Sequence, residues 1–250
     1  MGKVCFFKKG GQKTVIEQYL CSQNSVFVKD METGEILVSH NTDVIFPSAS
    51  VIKLFILSYY QGKEDIILPV TRKDMVGTSI ISELKLKEVS LKEALTLMIA
   101  SSDNTATNLL IKQAGMEEIN AHIKEIGCES TVLGRKMMDF KAREEGRDNY
   151  TSLKDCYTVM ERLSRFPEMM EILKKQKCTE RIGRYIFGST TLYLKYGDLA
   201  DVYNDVGIII TPQGRKMFAG VLAHNYDKNQ AKRLCGKTGL LACGSTRPVI

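Results

Sequence analysis

Phe46-Pro47-Ser48-Ala49-Ser50-Val51-Ile52-Lys53 leads into an apolar stretch, Leu54 to Tyr60, and the reading of this segment decides the fold. Pro47 breaks the incoming segment, so a helix is predicted over Leu54–Tyr60 with Ser50 at its start. Lys53 then lies one turn beyond Ser50, and hydroxyl and amine share a face. That spacing has a chemical use. A serine is a weak nucleophile until a neighbouring base takes its proton, and a desolvated lysine beside a second cation has its pKa lowered towards that task. Alone, Ser-x-x-Lys is a weak signal: Ser82 with Lys85 is a second match, and an N-cap serine followed by a solvated lysine has the same spelling.

The first pair gains its meaning from a later segment. Ala100-Ser101-Ser102-Asp103-Asn104-Thr105-Ala106-Thr107-Asn108-Leu109-Leu110 sets Ser-Asp-Asn between two predicted helices. Such a turn aims Ser102 and Asn104 into a cleft while Asp103 turns inward as a brace; read in isolation, the tripeptide is an N-cap cluster.

Outward from these segments, strands and helices separate. Ser25–Lys29 and Glu35–Ser39 flank a Gly-containing turn and read as a hairpin, and Val206–Thr211 with Lys216–His224, joined by Pro212-Gln213-Gly214, read as a second. Thr191–Tyr196 supplies another strand. The middle of the chain is helical in pattern: Ser90 and Glu93 form a capping box opening Leu91–Ala100, Thr105–Ala114 stops at Gly115, and Met116–Ile126 stops at Gly127. Ser152 with Asp155 opens Leu153–Leu163, Pro167 suits the first turn of the next helix, and a basic helical tail begins at Asp227. Strands at both ends with helices between imply a sheet completed by distant segments and an inserted helical lobe.

With these segments the chain resembles the serine β-lactamases and penicillin-recognising enzymes, class A in particular, whose motif set is Ser-x-x-Lys, Ser-Asp-Asn and Lys-Thr-Gly. The resemblance covers nearly the whole chain and extends beyond the minimal motifs, from Phe46 to Lys53 and from Ser102 to Leu110. It implies an α+β, β-lactamase-like fold: an antiparallel sheet flanked by helices plus an all-α lobe, in one domain. The α/β part falls at about residues 1–60 and 180–250 and the lobe at about 61–179, with the site between them. It also implies roles. Ser50 attacks an amide or lactam carbonyl with Lys53 as base, Ser102 relays a proton to the leaving nitrogen, Asn104 binds the substrate's side-chain amide, and Lys195 holds its carboxylate. The backbone N–H groups of Ser50 and Asp198 form the oxyanion hole.

The third motif requires a choice. Lys237-Thr238-Gly239 is a literal match, but in the resembled fold two strands and a helix follow the active-site strand, and only eleven residues follow Gly239. Lys195-Tyr196-Gly197 sits directly before the second hairpin and the basic tail, so topology selects it. Gly236-Lys237-Thr238 is no phosphate loop either, because Ala231 stands where such a loop needs glycine. Two departures follow. Tyr196 replaces a small hydroxyl residue that helps hold the substrate carboxylate in the family. In the loop after the lobe, where class A enzymes carry a glutamate that activates the deacylating water, this chain reads Leu133-Gly134-Arg135-Lys136-Met137-Met138-Asp139-Phe140. The glutamate's place falls near Met137 and Met138; Asp139 is the nearest acid, ahead of Glu144 and Glu145. Asp139 reads equally as a catalytic carboxylate and as a loop brace paired with Arg135 or Arg143, and deacylation is expected to be slow.

Composition removes other classes. At 44% hydrophobic and 26% charged, the 250 residues suit an ordinary globular core. The net charge of +6 is spread along the chain with acids beside bases, which favours a mixed solvated surface over a nucleic-acid groove. Seven cysteines without a Cys-x-x-Cys pair fit reduced thiols, and His40, His122 and His224 are scattered, so no metal or cofactor is expected. Apolar runs are too short for a bilayer, and Lys3 to Lys9 holds too few apolar residues for an export signal, giving an expectation of a cytoplasmic protein without a membrane partner. The expected partner is a small β-lactam or peptide-like substrate. A peptidase, esterase or amidase on the same scaffold, and a covalent sensor without turnover, are the alternatives.

Overall fold

Asp30 closes the first hairpin by accepting hydrogen bonds from the backbone N–H groups of Glu32 and Thr33, both at 3.0 Å, while Gly34 takes a left-handed φ of 77° that the turn requires. In this computed structural model, which describes residues 16–77 and 79–244, that turn joins β1 (Asn24–Asp30) to β2 (Ile36–His40). The second hairpin joins β8 (Tyr203–Ile210) to β9 (Lys216–Ala223), and β7 (Thr191–Asp198) pairs with β8 along its whole length. β1 lies antiparallel to β9, from Asn24 opposite Ala223 to Asp30 opposite Met217. The order β2-β1-β9-β8-β7 therefore stitches distant ends of the chain into one five-stranded sheet, with β7 at an edge.

Alternation along the strands sends successive side chains to opposite faces. Val26, Val28, Leu194, Ile209 and Val221 pack with Leu234 and Cys235 of α9 (Lys228–Ala242) and with Ile182 of the 3-10 turn Ile182–Tyr185. Phe27, Val206, Ile208, Phe218 and Leu222 face the other way and join the core of the helical lobe. That lobe contains α2 (Ile80–Leu84), α3 (Leu91–Ala100), α4 (Asn104–Ala114), α5 (Met116–Glu125), α6 (Phe140–Glu144), α7 (Leu153–Leu163) and α8 (Pro167–Leu173). The capping box of Ser90 and Glu93, the Ser152 N-cap of α7 and Pro167 at the head of α8 are all formed. α1 (Lys53–Tyr59) and α7 pack together, and α7 also lies against the sheet, so one core runs through both parts.

Three local features depart from the sequence reading. Ser50 lies in a 3-10 turn, Ala49–Ile52, that runs into α1 at Lys53. The lobe is not purely helical, since β4 (Ile67–Pro69) pairs with β5 (Glu88–Ser90). β3 (Phe46–Pro47) pairs with β6 (Tyr150–Thr151) and ties the approach to Ser50 to the end of the loop at 133–150. Strands this short carry no periodicity to read. The Lys3–Lys9 reading and Cys5 lie outside the described residues.

Candidate active site

The turn that presents Ser50 is held from two sides. Ser48 N–H donates to Asn149 O at 2.8 Å, and buried Asn204 on β8 donates through Nδ2 to Pro47 O at 2.9 Å. Ala49 has a left-handed φ of 45°, a strained conformation of the kind that costs roughly 1–3 kcal/mol and collects at functional sites. β7 presses directly on this turn: a Cβ at Gly197 would stand 2.7 Å from Ser48 O and 3.0 Å from Ser50 N, so only glycine fits. Ser50 itself is half-buried.

Lys53 is fully buried, and its amine reaches Ser102 O at 2.7 Å, Ser102 Oγ at 3.0 Å and Asn104 Oδ1 at 2.9 Å. The amine of Lys195, also fully buried, reaches Ser102 Oγ at 3.2 Å and Tyr196 O at 2.8 Å. Ser102, at a left-handed φ of 58°, thus stands between two lysines. Asp103 turns inward as expected, accepting from Ser79 Oγ, Ile80 N and Ala106 N and capping α4. Burial, then the charge of Lys195, pulls the Lys53 amine well below its ordinary value, with Asp103 opposing. Burial likewise pulls Lys195 down to about 7, against the attraction of Asp205.

Arg181, which no sequence pattern had marked, organises the outer side of β7. Its guanidinium donates to Gly197 O at 3.1 Å, Asn204 O at 3.2 Å and Asp198 Oδ1 at 2.9 Å. It also lies 5.0 Å from the Tyr196 ring and 3.8 Å from the Tyr203 ring, while Lys195 Nζ is 4.2 Å from the Tyr196 ring. Burial and the Cys178 thiol push the Tyr196 phenol up, with Ser102 and Arg181 pulling the other way. Asp205, on β8 opposite Tyr196, is fully buried; burial pushes it up to about 6.

The loop at 133–150 is tied by charge and by backbone. Asp148 accepts from Arg135 Nε at 2.7 Å and Arg143 Nε at 2.9 Å, and Arg143 also pairs with Asp201 at 2.8 Å. Asn108 clamps Met137 through both backbone groups, Met137 N to Asn108 Oδ1 at 2.8 Å and Asn108 Nδ2 to Met137 O at 3.1 Å. Met137 is buried, and Met138 follows at a left-handed φ of 65°. Asp139 pairs with neither Arg135 nor Arg143. Its carboxylate caps α6, accepting from Ala142 N at 3.1 Å, because a short helix starting at Phe140 leaves N–H groups to satisfy and Asp148 already holds both arginines. The Asp139 side chain is exposed and makes no hydrogen bond to Lys53 or Ser102.

A family model described as the β-lactamase enzyme family matches residues 12–244. The chain belongs to that family. It is 26% identical over 235 residues to a β-lactamase of Bacillus licheniformis, covering 87% of this chain and 76% of the relative. It is 29% identical over 128 residues to a D-alanyl-D-alanine endopeptidase of Pseudomonas aeruginosa, covering 48% of this chain and 40% of that one. In fold it matches a PBP-A mutant solved as an acyl-enzyme complex with penicillin-G, with a TM-score of 0.78, 22% identity, and 88% and 89% of the two chains covered.

The competing motifs of this family member fall elsewhere. Ser82 Oγ bonds Val76 O and Thr105 Oγ1, and Lys85 ends α2 at a left-handed φ of 54°, so that pair is structural. Lys237 lies on α9, 6.0 Å from the Tyr19 ring, on the sheet face away from Ser102. Ser58 Oγ lies 3.0 Å from His122 Nε2, with Glu125 3.9 Å from Nδ1, which resembles a serine–histidine–acid triad. Ser58 is only 1% exposed, inside α1, and cannot meet a substrate. Among the described residues no cluster of His, Cys, Asp and Glu is arranged to hold a metal ion, and no helix is long and apolar enough to cross a membrane.

Proposed function

We propose that the chain is a serine hydrolase that forms an acyl-enzyme on Ser50 with a β-lactam or related amide and hydrolyses that ester slowly. The observation that carries this reading is the buried Lys53–Ser102–Lys195 relay beside the Ser50 turn. A neutral Lys53 amine has a lone pair to take the proton from Ser50 Oγ as that oxygen bonds to the carbonyl carbon. The N–H groups of Ser50 and Asp198 steady the oxyanion. As the C–N bond breaks, Ser102 gives its proton to the leaving nitrogen and is reprotonated from Lys53, so charge and protons balance. Asn104 gives its side-chain oxygen to Lys53, which leaves its N–H groups for the substrate amide. Lys195, Tyr196 and Gly197 form the wall towards the substrate carboxylate, and Arg181 adds positive charge behind it.

Water must then be activated at the ester, and Met137 offers no base. Asp139 is reserved for capping α6 in this reading. Intact-mass spectrometry after brief incubation with a penicillin tests it: the expected result is a single adduct that persists for many minutes and is missing in Ser50→Ala. Unmodified protein with intact drug, or equal labelling of Ser50→Ala, contradicts the reading. The likeness to an endopeptidase favours a second reading, cleavage of a peptide substrate at the same serine, which peptide hydrolysis without β-lactam acylation would support.

A further inference from the structure

The motif that the active site does not use marks a second place on the molecule. In Lys237-Thr238-Gly239, Thr238 returns its hydroxyl to Leu234 O at 2.8 Å, and Gly239 lets α9 meet the backbone of Ile182 where any side chain would collide. Gly236 likewise makes room for the Tyr185 ring. These close approaches seat α9 on the Ile182–Tyr185 turn and leave beside it a cavity of about 590 Å³. Arg184, Lys232, Arg233 and Lys237 line it, with Tyr19 and Tyr185 in its wall.

The cavity gathers four cations and no carboxylate. Among the described residues, Arg181, Arg215 and Arg143 have close acidic partners, whereas none of these four forms an ion pair. α9 contains no Asp or Glu, and neither do the sequences of residues 1–15 and 245–250. The arrangement works against the helix, because Arg233 and Lys237 repel one another at i,i+4. Lys237 Nζ and the Arg184 guanidinium stand over the Tyr19 and Tyr185 rings at 6.0 Å and 5.7 Å, near the outer limit of a cation–π contact, so the rings hold these charged heads only loosely.

The cations run along more than a turn of helix, roughly 8 Å at the usual rise. That spacing suits several linked charges better than a single carboxylate, and guanidinium groups suit phosphate oxygens. We propose that this cavity binds a small ligand with a chain of phosphates, either inorganic polyphosphate or the phosphate tail of a nucleotide. It lies on the sheet face opposite the Ser50 cleft and does not depend on the acylation chemistry.

Isothermal titration calorimetry of the full chain with sodium tripolyphosphate and with metal-free ATP, near physiological salt, tests the proposal. Saturable one-to-one binding is expected, weakened roughly tenfold or more in Arg233→Gln/Lys237→Gln. The control Lys87→Gln/Lys124→Gln removes the same charge from the helical lobe and should bind as the wild type does. Circular dichroism verifies that both variants are folded; if the first is not, Lys232→Gln alone is measured and should weaken binding several-fold. Tighter binding of ATP than of tripolyphosphate identifies a nucleotide, and equal binding identifies the phosphate chain as the whole determinant. Absence of saturable binding to either probe, or equal loss in both double variants, overturns the site.

Discussion

On the proposed mechanism acylation turns on Lys53, and the environment of that residue makes a directional claim about pH. The group is buried and faces the charge of Lys195, so it loses its proton well below the ordinary lysine range. Acylation of wild type should therefore rise with pH and level off far below pH 10.5, the ordinary lysine value. Lys195→Met removes one of the two influences that lower Lys53, so the rising limb should move to higher pH, whatever happens to the plateau. Stopped-flow acylation with a chromogenic cephalosporin reads the midpoint directly; an unmoved midpoint would show that Lys53 is not the base. The same burial has a cost in stability. Between its folded value of about 7 and its ordinary 10.5, Lys195 is protonated only in the unfolded chain, so stability from this group grows as pH rises through that window.

At the scale of elements, two close approaches define what β7 and the loop at 133–150 can do. Gly197→Ala should abolish labelling of Ser50 by a fluorescent penicillin while the protein remains folded by circular dichroism, because the new methyl group would have to displace the Ser50 turn. Labelling at the wild-type rate would show that β7 does not set the nucleophile. In the loop, Met137→Glu should raise steady-state turnover by about a hundredfold or more, the usual worth of a general base, and Asp139→Asn should leave it unchanged. A collapse of turnover in Asp139→Asn would return the catalytic role to that residue. The sequence made most of this visible, because each relevant signal was local: Ser90 and Glu93 as a cap, Pro212 to Gly214 as a turn, Ser102 to Asn104 as a motif. The choice of Lys195 over Lys237 needed topology as well. Arg181 escaped because its partners, two carbonyls and the Asp198 carboxylate on β7 and β8, are remote in sequence and brought to it only by the fold. Of the two readings open for Asp139, the pairing with Arg135 or Arg143 does not form, because Asp148, which the fold brings beside both arginines, takes them.

Across the whole molecule, a chain of charges links the loop to the sheet. Arg135, Asp148, Arg143 and Asp201 follow one another, and His224 at the end of β9 closes on Asp201 at 3.1 Å. The links differ in burial, so they should differ in worth. Arg135 and Asp148 are each only 5% exposed, and Arg135→Ala takes a charged hydrogen bond from the buried carboxylate and leaves it Arg143 as its ion-pair partner, at a cost of about 2 kcal/mol. Arg143 and Asp201 are nearer solvent, and Arg143→Ala should cost about 1 kcal/mol. Urea denaturation orders the two variants; equal losses would contradict the ranking.

The clamp of Asn108 on Met137 bears on how such a protein changes over generations. Both hydrogen bonds go to the backbone of residue 137, so the loop's anchorage is indifferent to which side chain that residue carries. On the proposed mechanism, a lineage could therefore move from trapping its substrate to turning it over by replacing one amino acid on a scaffold that already holds the position. The genetic code makes the passage uneven. The methionine codon differs from either glutamate codon at more than one base, so the route runs through another residue first, and selection has to tolerate that intermediate before a new hydrolase can emerge.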